Sequence, residues 1–584
     1  MTPRPDAEAQ PAGNVASHID SLRGLARLGD FTTDRRILIV MGMAAVVGCL
    51  GAGAAWVLSH LITVVANLAY FGRLAATPLP IAATPLGWLA MFVPVAGCLV
   101  IGLMARFGSE KIRGHGIPEA IEAILMGGSR ISLRVAILKP LSSAISIGTG
   151  GPFGAEGPII MTGGALGSIF AQHFHMTSAE RKTLLVAGAA AGMTGIFGTP
   201  IAAVLLAVEL LLFEWKPRSF IPVAVASVVA AAVRPLLFSA APIFPFSESV
   251  HLAWWTLPVC ALLGIGAGLG SGLLTAAVYA TEDLFQLLPI HWMWWPMLGG
   301  LVVGLGGLIE PAALGVGYDN IVALLQGDMA LKAVILLLLV KGVIWAVALG
   351  SGTSGGVLAP LLIIGGSLGA LEARLLPGGQ TGLWALVSMA AMMGGTMRSP
   401  LTATLFAIEL TGNFQVLLPV LTACLAAHTL TVLLLKRSIL TEKIARRGHH
   451  VVREYSIDPF ELTLVGDVMI KSVDTLPAAM AIDDAVEFFT TADPRHKSYP
   501  VIAVDGRVIG MCGRADVLRW TMEGRHKGVT LADIVSPETL VAGYADEMVG
   551  HLADRMAAAD LGRIPIVSRP EGRLVGIVAR KDLL

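Results

Sequence analysis

Charge is scarce in this sequence. Only 14% of its 584 residues are Asp, Glu, Lys or Arg, against about 25% in soluble domains. Together with a mean hydropathy of +0.74, this excludes a soluble enzyme of this length and places the bulk of the chain in lipid. The 41 cationic and 41 anionic side chains balance, and no basic run is present, so no nucleic-acid partner is indicated. The five cysteines, Cys49, Cys98, Cys260, Cys424 and Cys512, are scattered and form no C-x-x-C pair. They read as small apolar packing residues. No H-E-x-x-H, G-x-S-x-G or paired-Asp motif supports an intramembrane enzyme. The acidic cluster that a divalent-cation conduit would need is missing too, and no metal site is expected.

What is abundant is glycine, 67 residues, as expected where membrane helices approach closely. Residues 1–36 are polar and end in Arg23, Arg27, Arg35 and Arg36. The apolar part, 37–436, closes on Lys436 and Arg437, with Lys443, Arg446 and Arg447 in a connecting helix and linker over 437–464. The positive-inside rule puts both termini in the cytoplasm. Some apolar runs, 37–67, 184–213 and 415–435, are long enough to span. Others, 134–147 and 401–410, are shorter than the roughly 20 residues a simple span needs. Short runs broken by Gly and Pro read as re-entrant or discontinuous helices lining a cavity.

The membrane part repeats itself. Lys139 leads to G-T-G-G-P-F-G-A-E-G-P-I-I-M-T-G-G-A-L-G, and Lys341, 202 residues on, leads to G-S-G-T-S-G-G-V-L-A-P-L-L-I-I-G-G-S-L-G. G-T-P-I-A-A-V-L-L-A-V-E-L (198–210) matches R-S-P-L-T-A-T-L-F-A-I-E-L (398–410), which pairs Glu209 with Glu409. Two tandem matches in one order predict two related halves, about 110–215 and 312–415. Such halves are commonly inverted, with an ion site between them. From Val465 short β-like runs alternate with helix-like stretches, and G-M-C-G-R-A-D-V-L (510–518) matches G-I-V-A-R-K-D-L-L (576–584). Two soluble α/β motifs are therefore expected, over 465–520 and 531–584.

An anion inside a bilayer needs partial rather than full positive charge if it is to leave again. Helix N-termini supply it, with free N–H donors. Gly permits close approach of the backbone, and Pro in a first helical turn forfeits no hydrogen bond. Three elements fit: Gly114-His115-Gly116-Ile117-Pro118, Gly154-Ala155-Glu156-Gly157-Pro158 and Gly356-Val357-Leu358-Ala359-Pro360. A lone carboxylate in an apolar run, Glu156, marks a functional position.

The ordered set resembles the CLC family of chloride channels and proton/chloride exchangers, which carries G-S-G-I-P, G-R-E-G-P and G-x-F-x-P, an inner tyrosine and two C-terminal CBS motifs. The resemblance covers nearly the whole chain beyond the N-terminal tail. It implies a polytopic all-α membrane domain of two inverted repeats with broken and re-entrant helices, followed by an α/β CBS pair. It implies a homodimer with one pore per subunit in a bacterial inner membrane. Chloride or a similar small anion is the implied partner, with protons as a second one if transport is coupled. Glu156 becomes the gating glutamate, and the three Gly/Pro elements become anion-binding.

Three departures qualify the resemblance. His115 stands where Ser is usual, and is read either as contributing to ion selection or pH dependence, or as a His turned to the vestibule. Leu210 stands where proton-coupled members carry the inner proton-accepting Glu, with Glu214, about a helical turn on, read either as a substitute candidate or as an interfacial charge beside Lys216 and Arg218. Leu440 stands at the inner-gate tyrosine, predicting a weaker central site. Lys139 and Lys341 are read as neutralising carboxylates or capping helix ends rather than binding anions directly, and Glu209, with Glu409 as its repeat partner, as structurally important rather than a transport site. In the tail, Asp516 and Asp582 are the candidate ligands for an adenine nucleotide, the cofactor such domains often take. Gly513 and Ala579 replace the hydroxyl that site uses, so the expectation is no cofactor.

Overall fold

The computed structural model describes residues 35–174, 176–246, 253–376, 381–449, 451, 460, 463–491, 496–524, 528–535 and 540–583. The N-terminal segment read as cytoplasmic lies almost wholly outside them, as does much of the linker. The chain divides into a membrane unit within 32–454 and a C-terminal unit that includes 455–584.

The membrane unit opens with α1 (Arg36–Phe71) and α2 (Phe92–Phe107). A first set follows: α3 (Ile117–Leu125), α4 (Leu133–Gly148), α5 (Glu156–Gln172), α6 (Ser178–Phe197), α7 (Pro200–Leu206) running into a π-helical segment (Ala207–Leu212), and α8 (Pro217–Leu237). Then come α9 (Thr256–Gln286) and α10 (Trp295–Ile309). A second set repeats the first helix for helix: α11 (Tyr318–Gln326), α12 (Leu331–Gly350), α13 (Leu358–Glu372), α14 (Thr381–Met397), α15 (Pro400–Thr411) and α16 (Leu417–Leu434). Helix α17 (Ile439–Arg446) closes the unit. Eight stretches among the described residues are long and apolar enough to cross a membrane.

The sequence explains the breaks. The apolar run 184–213 reads as one span, but it is two helices. Gly198 at φ +68° ends α6 in the left-handed conformation and Pro200 opens α7, the stop-and-start pairing of a C-terminal Gly with an N-terminal Pro. Ser399-Pro400 restarts α15 in the second half. Small residues let the broken helices pack closely. A Cβ on Gly163 would overlap the Gly188 carbonyl, and one on Gly188 that of Gly163, which joins α5 to α6 at backbone contact.

The C-terminal unit carries α18 (Val465–Val468), β1 (Leu476–Pro477), α19 (Ile482–Thr491), β2 (Ser498–Ile502), β3 (Val508–Gly513), α20 (Arg514–Met522), α21 (Leu531–Ile534), α22 (Val549–Ala558), β4 (Arg563–Val567) and β5 (Leu574–Ala579). β1 pairs parallel with β2, and β2 antiparallel with β3. β4 pairs antiparallel with β5. Two cores result, one around Ile482, Val501 and Leu531 and one around Val549, Leu552 and Ile566. The duplication read in 510–518 and 576–584 is therefore the end of strand β3 or β5 with the start of the helical segment that follows it, α20 after β3 and a 3-10 helix (Arg580–Asp582) after β5.

Candidate functional site

The three Gly/Pro elements meet. Gly114 bridges Ser354, and Gly154 bridges Gly356. Gly154 N–H donates to the Gly356 carbonyl at 3.3 Å, and Gly356 N–H returns the bond to the Gly154 carbonyl at 2.9 Å. Contacts that read the same from either partner are what a two-fold relation produces. The N-termini of α3, α5 and α13 thus turn on one region, and all fifteen residues of the three elements are buried. Gly114 and Gly116, at φ +83° and +89°, occupy backbone positions that favour glycine. A Cβ on Gly157 would overlap the His115 carbonyl, so the first element packs directly on the second.

Glu156 sits at this meeting point, 0% exposed. Its Oε1 accepts from the N–H of Leu358, and from that of Ala359 at 3.4 Å. The carboxylate from one half therefore occupies the N-terminus of α13 from the other half, where an anion is favoured. Its Oε2 is buried without a hydrogen-bond partner. Gly154 and Gly356 flank it so tightly that a Cβ on either would overlap the carboxylate.

The two lysines are structural. Lys139 Nζ donates to the carbonyls of Ile112 (2.9 Å) and Gly114 (2.7 Å) and to Ser354 Oγ (3.0 Å). Lys341 Nζ donates to the carbonyls of Ala313 (2.9 Å) and Gly315 (2.8 Å). Each holds the loop that enters α3 or α11. Ser354, which the sequence reading passed over, joins the halves: its Oγ also meets Ser143 Oγ at 2.9 Å. The signal was available, because Ser354 lies inside the repeated Gly-rich run.

His115 is 1% exposed, with Nδ1 buried and unpartnered. It does not face an open vestibule. Leu210 is fully buried in the π-helical segment, which packs on α3. Glu214 is not a helical turn further along that helix: Phe213 at φ +54° ends it. Glu214 instead lies between Lys182 (3.5 Å) and Lys216 (3.7 Å) and accepts from Ser219 Oγ (2.7 Å). Leu440, fully buried, lies in the first turn of α17, which packs on α3. Tyr279 of α9, unnoticed in the sequence, donates its hydroxyl to the Ile439 carbonyl and ties α17 down.

In the C-terminal unit, Asp516 Oδ2 accepts from Gly513 N–H (3.1 Å) and Oδ1 from Arg519 Nη2 (2.9 Å). Asp582 Oδ2 accepts from Ala579 N–H (2.8 Å). Asp516 lines a cavity of about 730 Å³ together with Lys497, Arg519, Trp520, Arg563 and Lys581. Beside it, burial pushes the Cys512 thiol up to about 12, and the Asp516 charge adds to the effect.

Two repeats whose broken helices bring their N-termini together around one buried region, with the Glu156 carboxylate on the N-terminus of α13, have the architecture of a membrane transport protein. The family model of the voltage gated chloride channel matches residues 96–432, and the CBS domain model matches 465–523 and 532–584. The chain belongs to the voltage gated chloride channel, or CLC, family and carries two CBS domains. It is 30% identical over 429 residues to the H(+)/Cl(-) exchange transporter ClcA of Salmonella paratyphi A, covering 71% of this chain and 89% of that one. A slow cyanobacterial Cl-/H+ antiporter shares the fold at TM-score 0.63 and 24% identity, over 71% of this chain and 99% of that one. A eukaryotic CLC transporter does so at TM-score 0.59 and 21% identity, over 93% and 98%.

Proposed function

We propose that this protein carries small anions, chloride foremost, along a path gated by Glu156, in a channel-like or weakly proton-coupled manner. One observation carries the reading: the Glu156 carboxylate lies on the N–H groups of Leu358 and Ala359. A carboxylate oxygen there stands in for a halide, and neutralising or removing it frees the place for the ion. Channel-like behaviour is supported by Leu210, a side chain that cannot titrate, and by the position of Glu214 between two lysines beyond the end of the helix. The alternative is a proton-coupled exchanger, supported by the retained Glu156 and by the exchange activity in the name of the ClcA relative. His115 and Leu440 leave nitrate, bicarbonate and fluoride as alternative cargoes.

In this reading the protein is a homodimer in a bacterial inner membrane with both termini cytoplasmic, and the mouth formed by α3 and α17 is the inner one. The CBS pair regulates without a nucleotide. The test is flux from liposomes holding the full chain, with several anions and a pH gradient, for wild type, Glu156→Gln and Glu156→Ala. Anion flux that responds to both substitutions, with few protons moved by the wild type, supports the reading. Stoichiometric proton flux selects the exchanger, and cation flux without halide flux rejects both.

A further inference from the structure

The first Gly/Pro element has a counterpart in the second half. Gly315-Val316-Gly317-Tyr318-Asp319 lies 201 residues beyond Gly114-His115-Gly116-Ile117-Pro118. Gly315 and Gly317 stand at φ +62° and +78°, as Gly114 and Gly116 stand at +83° and +89°. Lys341 Nζ donates to the Gly315 carbonyl as Lys139 Nζ does to that of Gly114. The counterpart opens α11 as the first element opens α3. Where the first element has Ile117, it brings Tyr318.

Tyr318 is held from two sides. Its ring meets Phe244 at 5.4 Å and Phe197 at 6.5 Å, both edge-on. Helix α11 packs on α13, the helix whose N-terminus Glu156 occupies, and a Cβ on Gly317 would overlap Ile363 of α13. Tyr318 and Lys341 both lie within electrostatic reach of the Glu156 carboxylate. Lys341 is committed to the carbonyls of Ala313 and Gly315. The Tyr318 hydroxyl is buried and has no hydrogen-bond partner among the described residues, and neither has Glu156 Oε2. Two buried polar groups of one region are thus left unsatisfied, which is costly and calls for an explanation. They suit each other, because a phenol both donates and accepts and a neutral carboxyl does the same.

We infer that Tyr318 is a positioning residue for the gate: its hydroxyl receives the Glu156 carboxyl when that group leaves the N–H groups of Leu358 and Ala359, and so keeps the anion place open. This rests on the reading of a Glu156-gated anion path. The O–H of the neutralised carboxyl donates to Tyr318 Oη, and no covalent bond changes.

The test measures chloride flux from liposomes holding the full chain as wild type, Tyr318→Phe, Glu156→Ala and the double variant, each shown to be monodisperse by gel filtration. Loss of one hydrogen bond from the displaced gate should lower flux about two- to ten-fold in Tyr318→Phe. In the Glu156→Ala background the same change should alter nothing, because no carboxyl is left to receive. The second measurement is a crystal structure of Glu156→Gln, whose amide imitates the neutral acid. That amide should lie within hydrogen-bonding distance of Tyr318 Oη. Flux lowered equally in both backgrounds, flux lowered in neither, or an amide seated away from Tyr318 overturns the inference, and the gated path stands if Glu156→Ala still alters flux. If Glu156→Ala leaves flux unaltered, the gate and its receiver fall together.

Discussion

Glu209 and Glu409 each cap the helix that the other half of the protein contributes. Glu409 Oε1 and Oε2 accept from the N–H groups of Ile201 (3.0 Å) and Ala202 (2.8 Å) at the start of α7. Glu209 Oε2 accepts from Thr402 N–H (3.0 Å) and Thr402 Oγ1 (2.5 Å) at the start of α15. Each carboxylate lies at the positive end of a helix whose first N–H groups have no intrahelical partner. This exchange fixes the two halves against each other away from Glu156. Glu409→Leu should therefore lower stability by about 0.5–2 kcal/mol, the cost of losing a helix-start cap. Glu209→Leu should cost a similar amount. Thermal unfolding in detergent, followed by fluorescence size-exclusion, checks both, and anion ranking in the surviving protein should stay that of wild type.

Gly154→Ala tests the gate from its surroundings. All three nearest atoms to an added Cβ belong to the Glu156 side chain, so the methyl displaces the carboxylate with little call on the backbone. Anion flux should rise toward that of Glu156→Ala. In a Glu156→Ala background the same change should add nothing, the non-additivity expected of residues in contact. Flux measured for the two single variants and the double variant decides it.

The departures at 115 and 440 should show in selectivity. Leu440→Tyr restores a hydroxyl in the first turn of α17 and should strengthen halide binding, whereas His115→Ser should change the order in which anions permeate or the pH dependence of flux. Reversal potentials across chloride, nitrate, bicarbonate and fluoride, at two pH values, read both. Wild-type anion affinity left unaltered by Leu440→Tyr, or ranking and pH dependence left unaltered by His115→Ser, counts against the corresponding role.

The CBS pair should be indifferent to adenine nucleotides. Asp516 already uses both carboxylate oxygens on Gly513 N–H and Arg519, and neither Gly513 nor Ala579 supplies a hydroxyl. A nucleotide at 100 times its dissociation constant would stabilise the folded state by about 2.7 kcal/mol. No shift in unfolding temperature is expected with AMP, ADP or ATP. A saturable shift with any of them restores the nucleotide site.

Much of this was legible in the sequence because it is carried by local grammar. Elements with Gly at the first position and Pro at the fifth, opening helices, the pairing of Lys139 with Lys341 and of Glu209 with Glu409, and the duplicated strand motif all follow from residue types at fixed spacings. The CLC fold and the CBS pair were read from them. Relationships that require the tertiary path were less accessible. The break at Gly198–Pro200 lay within an apolar run long enough for one span. Phe213 ends the helix before Glu214 by a left-handed turn that no periodicity announces. Ser354 and Tyr279 act through partners more than 150 residues away.

The most direct measurement is anomalous diffraction from bromide-grown crystals of wild type and Glu156→Ala. With the carboxylate gone, a bromide should bind on the N–H groups of Leu358 and Ala359, at the place Glu156 Oε1 fills in the wild type. Bromide bound elsewhere in the Glu156→Ala protein with that place empty would contradict the account. So would bromide seated there in the wild type while Glu156 keeps the same two hydrogen bonds.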